Sequence, residues 1–98
     1  MIMETFFSKD NQKLTVAVSG RLDSNTVHEL EAELKPNLVG INELVFDFSN
    51  LEYISSAGIR VLLGCYKLVS GNMQILNANE MIMDVFRITG MITIFNIE

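Results

Sequence analysis

Ser55 and Ser56 stand side by side between two hydrophobic segments, in the run LVFDFSNLEYISSAGIRVLL at positions 44–63. A serine at a helix start can cap the helix, because its side-chain oxygen accepts an unpaired backbone N–H of the first turn. The same hydroxyl can be a nucleophile if a histidine activates it. It can also accept a phosphate, which the partial positive charge of a helix N-terminus tolerates. These roles belong to three different classes of protein, and the serine pair alone does not choose among them.

Catalysis by either serine would need His28, which is the only histidine. His28 is predicted to lie on the polar side of the first helix beside Glu29, where a surface role is the simpler interpretation. The sequence also lacks the G-x-S-x-G motif of serine hydrolases. We therefore do not expect serine-enzyme chemistry, and a small serine hydrolase is only a third hypothesis.

Other residues with reactive or ligand-binding side chains favour structural roles. Cys65 is the only cysteine, which excludes an internal disulfide and a cysteine-based zinc site; between apolar neighbours it is expected to behave as a small buried hydrophobe. Asp47 ends a predicted strand, where it can support the next loop or serve a ligand, and loop support is the simpler interpretation. Gly58 and Gly64 fit neither nucleotide-binding motif. No cofactor or metal is expected.

The composition predicts one domain over residues 1–98, with 49% hydrophobic residues and a single proline. Twelve acidic and seven basic residues give a net charge of −5 without a basic stripe, which argues against nucleic-acid binding. The chain has no apolar run near the roughly 18 residues of a membrane span, and its start, MIMETFFSKD, lacks the features of a secretion signal. We expect a cytoplasmic protein with no direct membrane insertion.

Apolar periodicity predicts two short strands at 3–9 and 13–19, joined by the polar turn DNQ, with Gly20 ending the second strand. The segment LDSNTVHELEAELKP predicts a helix capped by Asp23 or Ser24 and stopped by Pro36. Its apolar stripe consists of Val27, Leu30 and Leu34.

The remaining elements alternate between strand and helix. ELVFDFS predicts a strand at 43–48, and apolar spacings of three and four predict a helix at 56–69. A short strand, MQILNA, precedes a helix opened by Asn77 or Asn79 and closed by Gly90. That helix is predicted to turn Met81, Ile82, Val85 and Phe86 inward, with one of Met81 and Met83 exposed. MITIFNI is predicted as the last strand.

The predicted order is therefore β-β-α-β-α-β-α-β, an α/β fold. It implies a mixed sheet of about five strands, parallel except for the first hairpin and built from right-handed crossovers. The strand LVFDF is expected at the centre of the sheet. Phe46 and Phe48 should both be buried on one face, because side chains alternate along a strand.

The run FDFSNLEYISSAGIRVLL resembles the signature of STAS domains, particularly of small bacterial anti-sigma-factor antagonists. VSGRLDSNTVHEL is similar to the segment before the first helix of the family, and DVFRITGMITIFNI to its last helix and strand. The resemblance covers nearly the whole chain and implies a single STAS-like domain.

By this resemblance, Ser56 stands at the phosphorylated serine of the family, and Gly58 and Ile59 stand at its Gly-Leu pair. Three positions depart from the commonest form: Ser55 replaces an aspartate, Ala57 a second hydroxyl residue, and Arg60 a glycine. The loss of the aspartate makes Ser55 a rival phosphate acceptor.

The resemblance implies a protein-binding regulator and not an enzyme. Family antagonists bind, when unphosphorylated, an anti-sigma factor with serine kinase activity, and so release the sigma factor. The kinase inactivates the antagonist, and a PP2C-type phosphatase restores it. The expected docking surface surrounds the start of the second helix: Asp23, Ser24, Ser55, Ser56, Gly58, Ile59 and Arg60. The helical spacing of Ile59 fits the core equally well.

A second function is compatible with the same family. STAS subunits also assemble with membrane lipid transporters, where the domain is a structural adaptor of an ATPase complex without a phosphorylation switch.

Overall fold

The computed structural model describes residues 3–98, which form a six-stranded sheet and three α-helices. The elements are β1 (Glu4–Asp10), β2 (Lys13–Leu22), α1 (Val27–Asn37), β3 (Glu43–Asp47), β4 (Leu51–Ile54), α2 (Ser56–Leu68), β5 (Met73–Leu76), α3 (Glu80–Thr89), a 3₁₀ turn (Met91–Thr93) and β6 (Asn96–Ile97). Within this range, every helix is too short or too polar to cross a bilayer.

The sheet runs in the order β1-β2-β3-β5-β6, and β4 pairs with the far end of β2. Among residues 3–98, only the β1–β2 pair is antiparallel, so the predicted mixed α/β sheet is confirmed. β3 is the central strand of this order, as expected. Phe46 and Phe48 are both fully buried, with ring centroids 5.8 Å apart, which confirms the predicted register.

The core lies between one face of the sheet and the helices. Leu14, Val16 and Val18 of β2 share one apolar cluster with the buried stripes of the three helices. Thr15 and Ala17, on the opposite face of the strand, are only half-buried. This two-residue alternation is the pattern from which the strand was predicted.

β2 extends further than the sequence predicted. Gly20 adopts a φ of 88°, and the pairing register of β2 shifts between Gly20 and Arg21. A glycine at positive φ allows a strand to bulge and continue. The prediction that Gly20 ends the strand is therefore wrong, because residues as far as Leu22 pair with the unforeseen strand β4.

α1 also begins and ends later than predicted. Thr26 is its N-cap residue, and neither Asp23 nor Ser24 caps it. The Asp23 carboxylate instead accepts the backbone N–H groups of Asn25 and Thr26, which form a turn before the helix. Pro36 lies in the last turn, and the helix ends at Asn37.

The C-terminal segment differs most from expectation. Asn79 caps α3 and Gly90 ends it at a φ of 80°, as the sequence predicts. The helix turns Ile82 and Phe86 inward, but Met81 is 56% exposed, so its predicted burial is wrong. The predicted strand MITIFNI is also wrong over most of its length, because a 3₁₀ turn follows Gly90 and only Asn96–Ile97 pair with β5.

Candidate docking site at the start of helix α2

The ends of β2 and β4 bring two polar segments of the chain together. Leu22 pairs with Ile54, and the Ser55 N–H donates to the Leu22 carbonyl at 2.9 Å. Ser24 lies two residues after Leu22, and Ser56 lies two residues after Ile54. Both therefore follow strands that end at the same edge of the sheet. This pairing explains why segments about thirty residues apart in sequence form one surface.

The two serines have different roles at the helix start. Ser55 is the N-cap residue: its Oγ accepts the Gly58 N–H at 3.4 Å, and its carbonyl accepts the Ile59 N–H at 3.0 Å. Ser56 is the first helical residue and is exposed. Within residues 3–98 the Ser56 hydroxyl makes no hydrogen bond, so it is free for chemistry from solvent.

Gly58 and Ile59 pack inward from the first turn of α2. A Cβ at Gly58 would lie 2.7 Å from Ile54 Cγ1 and 3.0 Å from Leu22 Cγ, so the helix rests directly on the ends of β2 and β4. Ile59 is only 7% exposed, which favours the core role that its spacing allowed. Neither residue presents a side chain to a partner, and the exposed part of the predicted docking surface is Ser24, Ser56 and Arg60.

Asp23 organises the loop that follows β2. Its Oδ1 accepts the N–H groups of Asn25 at 2.9 Å and Thr26 at 3.1 Å. The backbone hydrogen bond from Asn25, assisted by Thr26 and the Arg21 charge, lowers the pKa of the Asp23 carboxyl against the opposing effect of desolvation. The carboxylate thus fixes the loop that carries Ser24 towards α2.

Arg21 and Tyr53 fasten this loop to β4. The Arg21 guanidinium lies 4.3 Å from the centre of the Tyr53 ring, and its Nε is 3.7 Å from Asp23 Oδ2. Neither residue was predicted from the sequence to belong to this surface. Their pairing depends on β4, so only a prediction of that strand could have revealed it.

Arg60 places a positive charge close to Ser56. The two residues are four apart on one helix, where side chains are neighbours, and both are exposed. Across the part of the chain that the structure describes, no carboxylate lies within 4.0 Å of the Arg60 guanidinium. Arg60 is therefore available to an anionic group.

His28 does not form a catalytic arrangement with the serines. Its side chain is 83% exposed, and its Nδ1 lies 3.8 Å from Glu31 Oε1. In residues 3–98 no hydrogen bond joins His28 to Ser55 or Ser56. This geometry disfavours the serine-hydrolase hypothesis.

Cys65 is buried in α2, as predicted. Burial, with a smaller contribution from the Glu31 charge, raises the pKa of the Cys65 thiol to about 11. The thiol therefore stays protonated at neutral pH, which is the unreactive form.

Asp47 supports a loop, which was the simpler of its two interpretations. Its Oδ1 accepts hydrogen bonds from the Ser49 hydroxyl at 2.5 Å, the Ser49 N–H at 3.0 Å and Asn77 Nδ2 at 3.2 Å. The Ser49 hydroxyl is the main cause of the lowered pKa of the Asp47 carboxyl, and desolvation opposes it. These bonds join the loop after β3 to the end of β5.

Asn79 joins α3 to β4, and only its role as the cap of α3 was predicted from the sequence. Its Oδ1 accepts the Ile82 N–H at 2.9 Å as the α3 cap, while its Nδ2 donates to the Leu51 carbonyl at 3.1 Å. α3 is thereby tied to β4, the strand that leads into Ser55. The Asn79 side chain thus holds the start of β4, and the Arg21 side chain contacts Tyr53 near its end.

Comparison with known proteins gives one consistent family. The model of the STAS domain matches residues 7–98. BtrV of Bordetella bronchiseptica, whose name assigns it provisionally as an anti-sigma factor antagonist, is 33% identical over 97 residues, which cover 95% of this chain and 84% of BtrV. The anti-sigma-B factor antagonist of Staphylococcus epidermidis is 35% identical over 80 residues, which cover 78% of this chain and 74% of that protein.

Solved structures of an anti-sigma factor antagonist, SpoIIAA, have the same fold. Its unphosphorylated form aligns with a TM-score of 0.83 at 17% identity, over 97% of this chain and 88% of that one. Its phosphorylated form, from Bacillus, aligns with a TM-score of 0.73 at 17% identity, over 97% and 91%. Because the model of the STAS domain matches nearly the whole chain and both relatives are more than 30% identical to it, the chain belongs to the STAS domain family.

Proposed function

We propose that this protein is an anti-sigma factor antagonist whose unphosphorylated form binds an anti-sigma factor through the start of α2, and that phosphorylation of Ser56 ends this binding. The observation that carries the proposal is the contrast between the two serines. Ser55 uses its hydroxyl to cap the helix, whereas the exposed Ser56 hydroxyl has no partner within residues 3–98. A kinase would therefore reach Ser56 without disturbing the cap.

The names of the relatives support the role of antagonist. BtrV and the Staphylococcus epidermidis protein are both named for it, and each is more than 30% identical to this chain. SpoIIAA has both a phosphorylated and an unphosphorylated form. We extend these properties to this chain as part of the proposal.

The partners in this proposal are an anti-sigma factor with serine kinase activity and a PP2C-type phosphatase. The kinase would transfer the γ-phosphoryl group of ATP to Ser56 Oγ, releasing ADP and the hydroxyl proton. The phosphatase would hydrolyse the phosphoserine to serine and inorganic phosphate. All three proteins would act in the cytoplasm.

The phosphate is expected to change binding more than folding. It adds about −1.5 to −2 charges at neutral pH. The N-terminus of α2 offsets part of this charge by roughly 1 kcal/mol, so the domain should remain folded. A docked partner would have to desolvate the phosphate, and a loss of about 3 kcal/mol already weakens binding more than a hundredfold.

Titration calorimetry with the cognate anti-sigma factor tests the proposal. Ser56→Ala should bind like the unmodified protein, and Ser56→Asp should bind at least about tenfold more weakly, since a carboxylate imitates a phosphate only in part. Ser8→Asp, an exposed serine on β1, makes the same charge change far from α2 and should bind normally. Equal binding by Ser56→Asp and Ser8→Asp would contradict the switch. Failure of the unmodified protein to bind would overturn the antagonist role and favour an adaptor of a lipid-transport ATPase.

A further inference from the structure

An apolar groove of about 450 Å³ separates α1 from α2. Its apolar lining comes from both helices: Val27, Leu34, Leu38, Ala57, Val61 and Leu68. Leu68 is 61% exposed, although it belongs to the apolar side of the groove. Because it lines the same groove as the other apolar side chains, it belongs to a contiguous apolar surface, which is the kind that marks interaction sites.

Gly64 keeps the middle of this groove open. A Cβ at this position would meet no atom within 4 Å. Glycine inside a helix costs roughly 1 kcal/mol relative to alanine, and no close packing of the isolated chain requires it here. Because glycine has no side chain, the groove has room at this position for a side chain of another molecule.

The two walls of the groove carry cations without close acidic partners. Lys35 lies on the α1 wall and Arg60 on the α2 wall. In residues 3–98, neither has a carboxylate within 4.0 Å. Glu31 also lines the groove, with its Oε1 3.8 Å from His28 Nδ1. With histidine counted as neutral, the lining has two cations against one carboxylate, a formal charge of +1 in a chain of net charge −5.

The outer face of α3 has the complementary chemistry. Met81 is 56% exposed and Ile88 is 85% exposed, and with Val85 they form one apolar stripe at spacings of four and three. Asp84 and Glu80 border this stripe on one side. Both carboxylates share a single cation, Arg87, at 2.6 and 3.7 Å, so this border has a net negative charge.

We propose that the outer face of α3 from one copy of this protein binds in the α1–α2 groove of a second copy. The lengths agree: each wall spans eleven residue steps, roughly 16 Å, and the ten residues of α3 span roughly 15 Å. An amphipathic helix bound in a hydrophobic groove is a common recognition mode. In this arrangement the acidic border of α3 faces the α2 wall, which carries Arg60 and no carboxylate.

The two surfaces involve different residues, which determines the form of the assembly. No residue of α3 lines the groove, so each copy offers both a groove and a helix. Such a head-to-tail contact adds further copies instead of closing as a two-fold dimer. The contact is small, and we expect a dissociation constant on the order of 100 µM. Because Ser24 and Arg60 line the groove, self-association would compete with a partner docked at the start of α2.

Sedimentation equilibrium between about 10 µM and about 1 mM tests this proposal. The average mass should rise continuously beyond that of a dimer. Gly64→Glu fills the groove and adds a negative charge to it, and Ile88→Glu breaks the stripe; each variant alone should remain monomeric. An equimolar mixture of the two should form a dimer and no larger species. The intact groove of Ile88→Glu can bind the intact α3 of Gly64→Glu, and neither variant can bind a further copy.

Phe6→Glu is the matched control, since Phe6 is 70% exposed on the sheet and belongs to neither surface. This variant should associate like the unmodified protein, and circular dichroism should show that all variants are folded. A monomer at every concentration would overturn the proposal, as would a variant mixture that stays monomeric. Loss of association in Phe6→Glu would place the contact on the sheet instead. None of these results depends on an anti-sigma factor, so they are separable from the proposed function.

Discussion

At the scale of single residues, the hydroxyls of the neighbouring Ser55 and Ser56 have different environments. Ser55 is half-buried and its oxygen accepts an N–H of the first helical turn, whereas the exposed Ser56 begins the helix. Phosphorylation of Ser55 would modify the oxygen that caps the helix, whereas phosphorylation of Ser56 would leave that oxygen unchanged. The family pattern has an aspartate at the position of Ser55, and either side chain can cap a helix.

Replacing each serine by alanine should separate these roles. Ser55→Ala is expected to lower the free energy of unfolding by about 0.5–1 kcal/mol, because the cap is lost and its 3.4 Å hydrogen bond is long. Ser56→Ala should change it by less than about 0.5 kcal/mol. Urea unfolding followed by circular dichroism measures both values. A larger loss for Ser56→Ala would show that its hydroxyl has a structural role.

The Asp47 cluster gives stability a dependence on pH. Its hydrogen bonds lower the folded-state pKa of the carboxyl below its ordinary value of 3.8. A lowered pKa stabilises the fold at pH values above the unfolded pKa, and this contribution is lost as the pH falls through the folded pKa. The stability gap between the unmodified protein and Asp47→Asn should therefore be largest near neutral pH and shrink below about pH 4. Urea unfolding at several pH values tests this; Asp10→Asn, at the exposed end of β1, is the control, and a gap that widens in acid would contradict the expectation.

At the scale of the elements, two glycines of α2 should respond in opposite directions to the same change. Gly58→Ala forces a Cβ to within 2.7 Å of Ile54 and should destabilise the fold by about 1–3 kcal/mol. Gly64→Ala meets no atom within 4 Å and should stabilise the helix by about 0.5–1 kcal/mol. Thermal unfolding of the two variants checks both signs. A neutral Gly58→Ala would mean that α2 does not rest on the ends of β2 and β4.

The strongly periodic elements could be predicted from the sequence, and the ones shaped by tertiary contact could not. In the apolar stripe of α1 and in the period-two alternation of side chains along β2, the sequence itself shows which residues are buried. β4 has only four residues and directly follows a turn, so no period can develop within it. β6 is shorter still. The apolar run before it begins with a 3₁₀ turn, and the side chain of Phe95 in this run is buried.

The site was predictable to a similar degree. The resemblance placed Ser56 and Arg60, and the structure finds both exposed on one side of α2. The sequence alone could not decide whether Ile59 faces a partner or the core, because both fit helical spacing. The contact of Arg21 with Tyr53 required knowledge of the β2–β4 pairing.

At the scale of the whole molecule, the start of α2 is a platform that several separate contacts hold in place. The Asp23 loop fixes one side of it, Asn79 ties α3 to β4 behind it, and Gly58 seats the helix on the sheet. A new charge at Ser56 would therefore alter what a partner meets while the scaffold stays in place. Arg60 belongs to this platform and to the α1–α2 groove, so the two proposed interactions exclude each other there.

Mapping the phosphate is the most direct test of the central claim. The purified protein is incubated with its cognate anti-sigma kinase and ATP, and the modified residue is identified by mass spectrometry, with Ser56→Ala and Ser55→Ala treated in parallel. We predict a single phosphate on Ser56, present in Ser55→Ala and absent from Ser56→Ala. Phosphate on Ser55 would contradict the assignment of the acceptor, and the absence of phosphate from both serines with an active kinase would contradict the switch itself.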